Sequence, residues 1–150
     1  MSERLNPTKA APGGYKLMLD MEKYLHECGL EQSLIELVKM RASQINGCAF
    51  CLNMHSQDAR KSGETEQRLY LLDAWRETEL FSDRERAALA WTEALTLIAQ
   101  THAPDAVYAE AKAQFSDAEL ANLTLLIGTI NTWNRIAIGF RAPLPVGKAA

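Results

Sequence analysis

The chain is short of cysteine, proline and long apolar runs, and each shortage excludes something. Three cysteines in 150 residues are too few for a disulfide scaffold. Five prolines and eight glycines are too few for a fibrous or low-complexity chain. No stretch reaches the roughly 18 apolar residues that a spanning helix needs. The best candidate, 120–140, is broken by Asn122, Thr124, Thr129, Asn131, Thr132, Asn134 and Arg135, so no membrane is expected as partner. No apolar h-region opens the chain, and an ordinary secretory signal is not expected either. Sixteen basic residues against nineteen acidic ones leave a net charge of −3, which gives no argument for nucleic acid. There is no Gly-rich phosphate loop, and Leu52 rather than a histidine follows Cys51. Nucleotide, flavin and c-type haem cofactors are therefore not expected.

What is present suffices for one core. The residues are 47% hydrophobic and 23% charged, and a chain of this length buries about 68–70% of its unfolded surface. Residues 1–14 read as an irregular arm, punctuated by Pro7, Pro12, Gly13 and Gly14. A helix is expected over Tyr15–Cys28, ended by Gly29, and a second over Glu31–Gln44. On the second, Leu34, Ile35, Val38, Ala42 and Ile45 form an apolar stripe, and Leu37 and Met40 lie on the other side. A helix apolar on most faces must be buried on most of them, either at the centre of one chain or against further copies of it.

Asn46-Gly47 breaks the chain before a helix from Cys48 to Lys61, and Glu66–Trp75 reads as a short one. Ser82 with Glu85 and Ser116 with Glu119 are capping boxes, ahead of helices over Arg84–Gln100 and up to Phe140. Pro104 suits the first turn of a helix to Gln114. No β-period competes. The expectation is one all-α domain of six or seven helices over 15–140, followed by a tail over 141–150.

The concentrated chemical signal is Cys48-Ala49-Phe50-Cys51 with His55 four residues on. At about 100° per residue, Cys51 lies about 60° from Cys48 and His55 falls between them. The start of the helix favours a thiolate at Cys48, and an imidazole nearby can carry a proton. Redox chemistry, metal binding through Cys48, Cys51 and His55, and an inert structural role all remain open on spacing alone. A closed zinc site would need a fourth ligand, and no second CxxC or His-x₃-His supplies one. Glu36 sits on the polar arc with Gln32, Lys39 and Ser43, where an exposed glutamate pairing loosely with Lys39 is the simpler reading. Cys28 reads as an inert thiol, and His26 and His102 as residues favoured near helix C-termini. Trp133, Asn134 and Arg135 form a polar set inside an apolar helix and need partners if buried.

The stretch Glu36-x₁₁-Cys48-x₂-Cys51-x₃-His55, set in Ile45-Asn46-Gly47-Cys48-Ala49-Phe50-Cys51 and Met54-His55, resembles the alkylhydroperoxidase D-like family. That family belongs to the broader carboxymuconolactone decarboxylase group. The resemblance implies an all-α fold, a homotrimer or homohexamer, and reduction of a peroxide or small disulfide by a cysteine pair; from the cysteine usage, a cytoplasmic location is expected. It implies peroxide attack by Cys51, resolution by Cys48, and a proton relay through His55 and Glu36. It also implies a thiol reductant of lipoyl or thioredoxin-like kind. The best-studied peroxidases of that family carry a second histidine between the cysteines, where this chain has Phe50. The decarboxylases of the group lack the cysteine pair, so the likeness does not extend to lactone decarboxylation. A non-catalytic helical oligomer is the remaining alternative.

Overall fold

Pro7 and Pro12 do not keep the N-terminal arm irregular; each opens a helix. The computed structural model describes residues 2–145. Helix α1 spans Pro7–Ala10, and the Asn6 side chain accepts from the backbone N–H of Thr8 and Lys9 at 3.1 and 3.2 Å. Helix α2 spans Pro12–Glu27, three residues earlier than periodicity suggested. Proline at the first turn loses no hydrogen bond and has its φ already set, so it starts helices as readily as it ends them. The segment expected to be irregular is thus helical from residue 7, apart from Ala11.

Helix α3, Gln32–Asn46, is the centre of the molecule. It is followed by α4, Ala49–Lys61, then α5, Glu66–Tyr70, and a 3-10 segment, Leu72–Glu77. Helix α6, Asp83–Thr96, and the single turn α7, Ile98–Thr101, divide what read as one helix. Helices α8, Asp105–Gln114, and α9, Asp117–Phe140, complete the order. The seven expected helical segments are there, with one-turn pieces added, and no strand occurs among the described residues. Both capping boxes form: Ser82 with Glu85 starts α6, and Ser116 with Glu119 starts α9. Of the expected tail, residues 146–150 lie outside the described residues.

Helix α3 packs on α4, α6 and α9 and buries two sides. Leu34, Ile35 and Val38 meet Leu25 of α2, Trp91 of α6, Phe115 and the Leu123–Ile127 side of α9. Leu37 and Met40 meet Leu69, Leu72, Trp75, Phe81 and Leu89 in a second cluster. The apolar residues on the far side of α3 are therefore covered by the same chain. They make no demand for a second copy.

Polar pairs fix the outer pieces on this core. Glu93 of α6 accepts from Arg41 Nε (2.8 Å) and Trp75 Nε1 (2.9 Å) on one oxygen and from Arg76 on the other. Burial by itself raises the Glu93 carboxyl pKa, but the hydrogen bonds from Trp75, Arg76 and Arg41 outweigh it and hold the group below its usual range. One carboxylate thus ties the 3-10 segment to both α3 and α6.

Candidate active site

The turn between α3 and α4 delivers the cysteine pair. Gly47 ends α3 at φ 69°, a left-handed conformation that glycine adopts without steric cost. The Cys48 N–H then donates to Ser43 O at 3.0 Å, closing the turn. Cys48 is the N-cap of α4 rather than its first residue, and its Sγ accepts from the Cys51 N–H at 3.3 Å. Cys48 and Cys51 are buried and joined as a disulfide, with Cα atoms 5.4 Å apart.

A buried polar network clamps the residue before this turn. Asn46 Nδ2 donates to Asn131 Oδ1 (3.0 Å) and Asn134 Oδ1 (2.8 Å) of α9, and Asn134 Nδ2 donates to Ser43 Oγ (3.0 Å). Asn131 Nδ2 adds a bond to Thr96 Oγ1 at 3.1 Å. Each buried amide has partners, so the network locates the end of α3, and the cysteines after it, without leaving unpaired polar groups.

Glu36 is buried, not exposed, and its partner is His55 rather than Lys39. His55 Nδ1 lies 2.9 Å from Glu36 Oε2, with the side chains 7% and 4% exposed. Gln32 Nε2 donates to the other oxygen, Oε1, at 2.8 Å, and Gln32 Oε1 lies 2.9 Å from His26 Nδ1. Helix α4 lies over the polar arc of α3 and converts an apparent solvent face into an interior one. A carboxylate only accepts, so it holds the proton on Nδ1 and leaves Nε2 as the free nitrogen of neutral His55. His55 also stands one turn beyond Cys51 on α4, the spacing at which helical side chains meet.

A cavity of about 770 Å³ reaches this set. Cys51, His55 and Glu36 line it, whereas Cys48 does not; Tyr15, Phe50, Met54, Trp133, Ile136 and Phe140 supply apolar walls. Residues Glu3–Thr8 close one side, tethered by the Arg4 N–H donating to Phe140 O at 2.9 Å. A second cavity, about 500 Å³ beside Trp75, Arg86 and Glu110, touches none of the four candidate residues.

The sequence profile of the carboxymuconolactone decarboxylase family matches residues 12–94, more than half of the chain and all four candidate residues. The chain belongs to that family. The uncharacterized protein YdfG of Bacillus subtilis is 46% identical over 138 residues, 92% of this chain and 94% of that one. A crystal structure from Agrobacterium tumefaciens, described as of unknown function and a candidate antioxidant defence protein AhpD, shares 46% identity with a TM-score of 0.94. It covers 97% of this chain and all of its own. An uncharacterized peroxidase-related protein from Silicibacter sp. TM1040 shares the fold, with TM-score 0.74 at 23% identity over 84% of this chain and 67% of its own.

Other residues of this family member find plain places. Cys28 is a half-buried free thiol whose Sγ donates to Leu25 O at 3.1 Å. Among the described residues, with Cys48 and Cys51 bonded to each other, no group of three or more His, Cys, Asp and Glu is arranged to hold a metal ion. Asn134 is wholly buried in the clamp, Arg135 donates to Asn131 O at 2.8 Å, and Trp133 lines the cavity. Periodicity did not reveal Gln32, Glu22 or Lys39 as cavity residues. Lys39 is buried with Nζ 2.6 Å from Glu22 Oε2, a pairing between helices that no local pattern encodes.

Proposed function

We propose that the protein is a thiol-dependent peroxidase or disulfide reductase in which Cys48 and Cys51 cycle between dithiol and disulfide. The observation that carries the reading is a bonded cysteine pair beside a buried Glu36–His55 pair, with Cys51 on the wall of a cavity. In the reduced form, His55 takes the Cys51 proton. The Cys51 thiolate attacks the terminal oxygen of a hydroperoxide, the O–O bond breaks, and the alkoxide leaves as the alcohol by taking that proton back from His55. The sulfenic acid so formed at Cys51 is attacked by the Cys48 sulfur, giving the disulfide and water. A small disulfide can serve as oxidant instead, with two thiols released. An external dithiol of lipoyl or thioredoxin-like kind then returns two electrons and two protons.

Cys51 rather than Cys48 takes the peroxide in this scheme because Cys51 faces the cavity, and the likeness to alkylhydroperoxidase D-like proteins assigns the same order. Glu36 acts on the proton carrier, not on the substrate: it orients His55 and stabilises the imidazolium. Phe50 adds apolar wall where those peroxidases carry a histidine. The thiol cycle fits a reducing compartment, and we place the protein in the cytoplasm; no helix among the described residues is long and apolar enough to cross a membrane.

The test is hydroperoxide consumption with a panel of donors, dihydrolipoamide and reduced thioredoxin among them. Turnover with a dithiol donor that is lost in both Cys48→Ser and Cys51→Ser supports the reading. Turnover retained in the double variant contradicts it.

A further inference from the structure

The cavity holds a second polar feature that the thiol cycle does not use. Lys39 of α3 is buried, its side chain only 2% exposed, and its Nζ lies 2.6 Å from Glu22 Oε2 of α2. Both residues line the cavity. Glu22 has one donor on each oxygen: Trp133 Nε1 donates to Oε1 at 2.9 Å and Lys39 Nζ to Oε2 at 2.6 Å. Lys39 is not well supplied with acceptors. An ammonium has three N–H groups, and Glu22 is its one hydrogen-bond acceptor among the described residues.

The nearest acidic neighbour on the same helix is already occupied. Glu36, one turn before Lys39, gives one oxygen to Gln32 and the other to His55. Lys39 therefore brings unused donor capacity to this end of the cavity. The walls beside it are apolar; Tyr15 and Trp133 meet edge to face with centroids 5.2 Å apart. A site of this kind takes an apolar body fixed by a few placed polar groups.

We propose that the Lys39–Glu22 pair anchors an apolar ligand through a terminal oxygen acceptor, with a carboxylate, the strongest such acceptor, as the preferred form. The ligand's acceptor meets the free N–H groups of Lys39 while its apolar body fills the space towards Phe50 and Cys51. This rests on the reading of the cavity as the substrate site, and it makes Lys39 a residue that selects acids over amines. A cationic ligand gains no hydrogen bond from Lys39, which only donates.

Calorimetric titration with two inert probes of equal apolar body tests this without any redox turnover: 4-isopropylbenzoate and 4-isopropylbenzylamine. The wild-type protein is expected to bind the acid at least about tenfold more tightly than the amine, the scale of one charge-assisted hydrogen bond. Lys39→Met should remove that preference. Glu22→Gln keeps an acceptor for Lys39 but deletes a negative charge, so it should tighten binding of the acid; a merely structural pair would give the opposite sign. Equal affinity for the two probes, acid binding unchanged in Lys39→Met, or weakened acid binding in Glu22→Gln would overturn the proposal. Thiol counts after peroxide treatment of the same samples report separately on the thiol cycle, so the two readings fail by different measurements.

Discussion

His55 Nδ1 and Glu36 Oε2 stand 2.9 Å apart across two helices, with both side chains buried. Nineteen positions separate them in sequence, and the turn at Gly47 folds α4 back along α3 so that they meet. The pair holds the histidine in one orientation beside the second cysteine.

Replacing Glu36 with Gln keeps the size and removes the charge. The amide can donate to Nδ1, which exchanges the ring tautomer and takes away the free nitrogen. Oxidation of the reduced protein by hydroperoxide is expected to slow by roughly 100-fold, within the range of general acid–base contributions. Rapid-mixing fluorescence measures this, with far-UV circular dichroism unchanged. A rate within threefold of wild type (about 0.7 kcal/mol) would show that the pair has no part in proton transfer.

The two cysteines are expected to fail differently. Cys51→Ser should abolish reaction with peroxide, whereas Cys48→Ser should permit one oxidation and no disulfide. Dimedone labelling followed by peptide mapping should find the adduct at Cys51 of the Cys48→Ser variant. Adduct formed solely at Cys48 of Cys51→Ser would reverse the roles and favour the N-cap position, where free amides stabilise a thiolate.

Asn134→Ala should destabilise the protein without touching the sulfurs. It strips partners from Asn46 and Ser43 in a buried network, and a buried unsatisfied group costs about 1–3 kcal/mol. Urea unfolding with both cysteines oxidised measures it. An unchanged midpoint would mean that the end of α3 is held by packing alone.

Much of the fold could be read from local pattern. The capping boxes at Ser82 and Ser116 formed as written, and Gly29 and Gly47 end helices at positive φ. The prolines at 7 and 12 misled because the same residue that breaks a helix interior suits its first turn. Cys48, Cys51 and His55 were legible because one helix carries them. Glu36 stood out only through the resemblance to the alkylhydroperoxidase D-like family, and its burial was not legible, since Glu36 looks exposed until α4 is laid against α3. Lys39 was read as a solvent-facing partner for Glu36. Its true partner, Glu22, lies seventeen residues away on another helix.

Glu93 gives a prediction about pH. Its carboxyl is held below the usual range in the folded protein, so its contribution is complete above the ordinary glutamate value of about 4.3. That contribution is lost as pH falls through the lower folded value. Glu93→Gln should therefore cost about 1.5–3 kcal/mol near neutral pH, the range for hydrogen bonds to charged groups, and progressively less in acid. Urea midpoints of the two proteins at neutral and acid pH check it. A gap that widens on acidification would contradict the sign.

Light scattering tests the assembly proposed from the family likeness. A mass three or six times that of the chain is expected. The exposed Leu17 of α2 and Leu125 and Ile138 of α9 offer apolar surface for it. A single-chain mass at micromolar concentration would contradict it.

The most direct measurement of the central claim is a thiol count. The protein is fully reduced, freed of reductant, and mixed with one equivalent of cumene hydroperoxide. Loss of two thiols per chain is expected, with the new bond mapped to Cys48 and Cys51 and Cys28 still free. No loss of thiols, or oxidation confined to Cys28, would contradict the account.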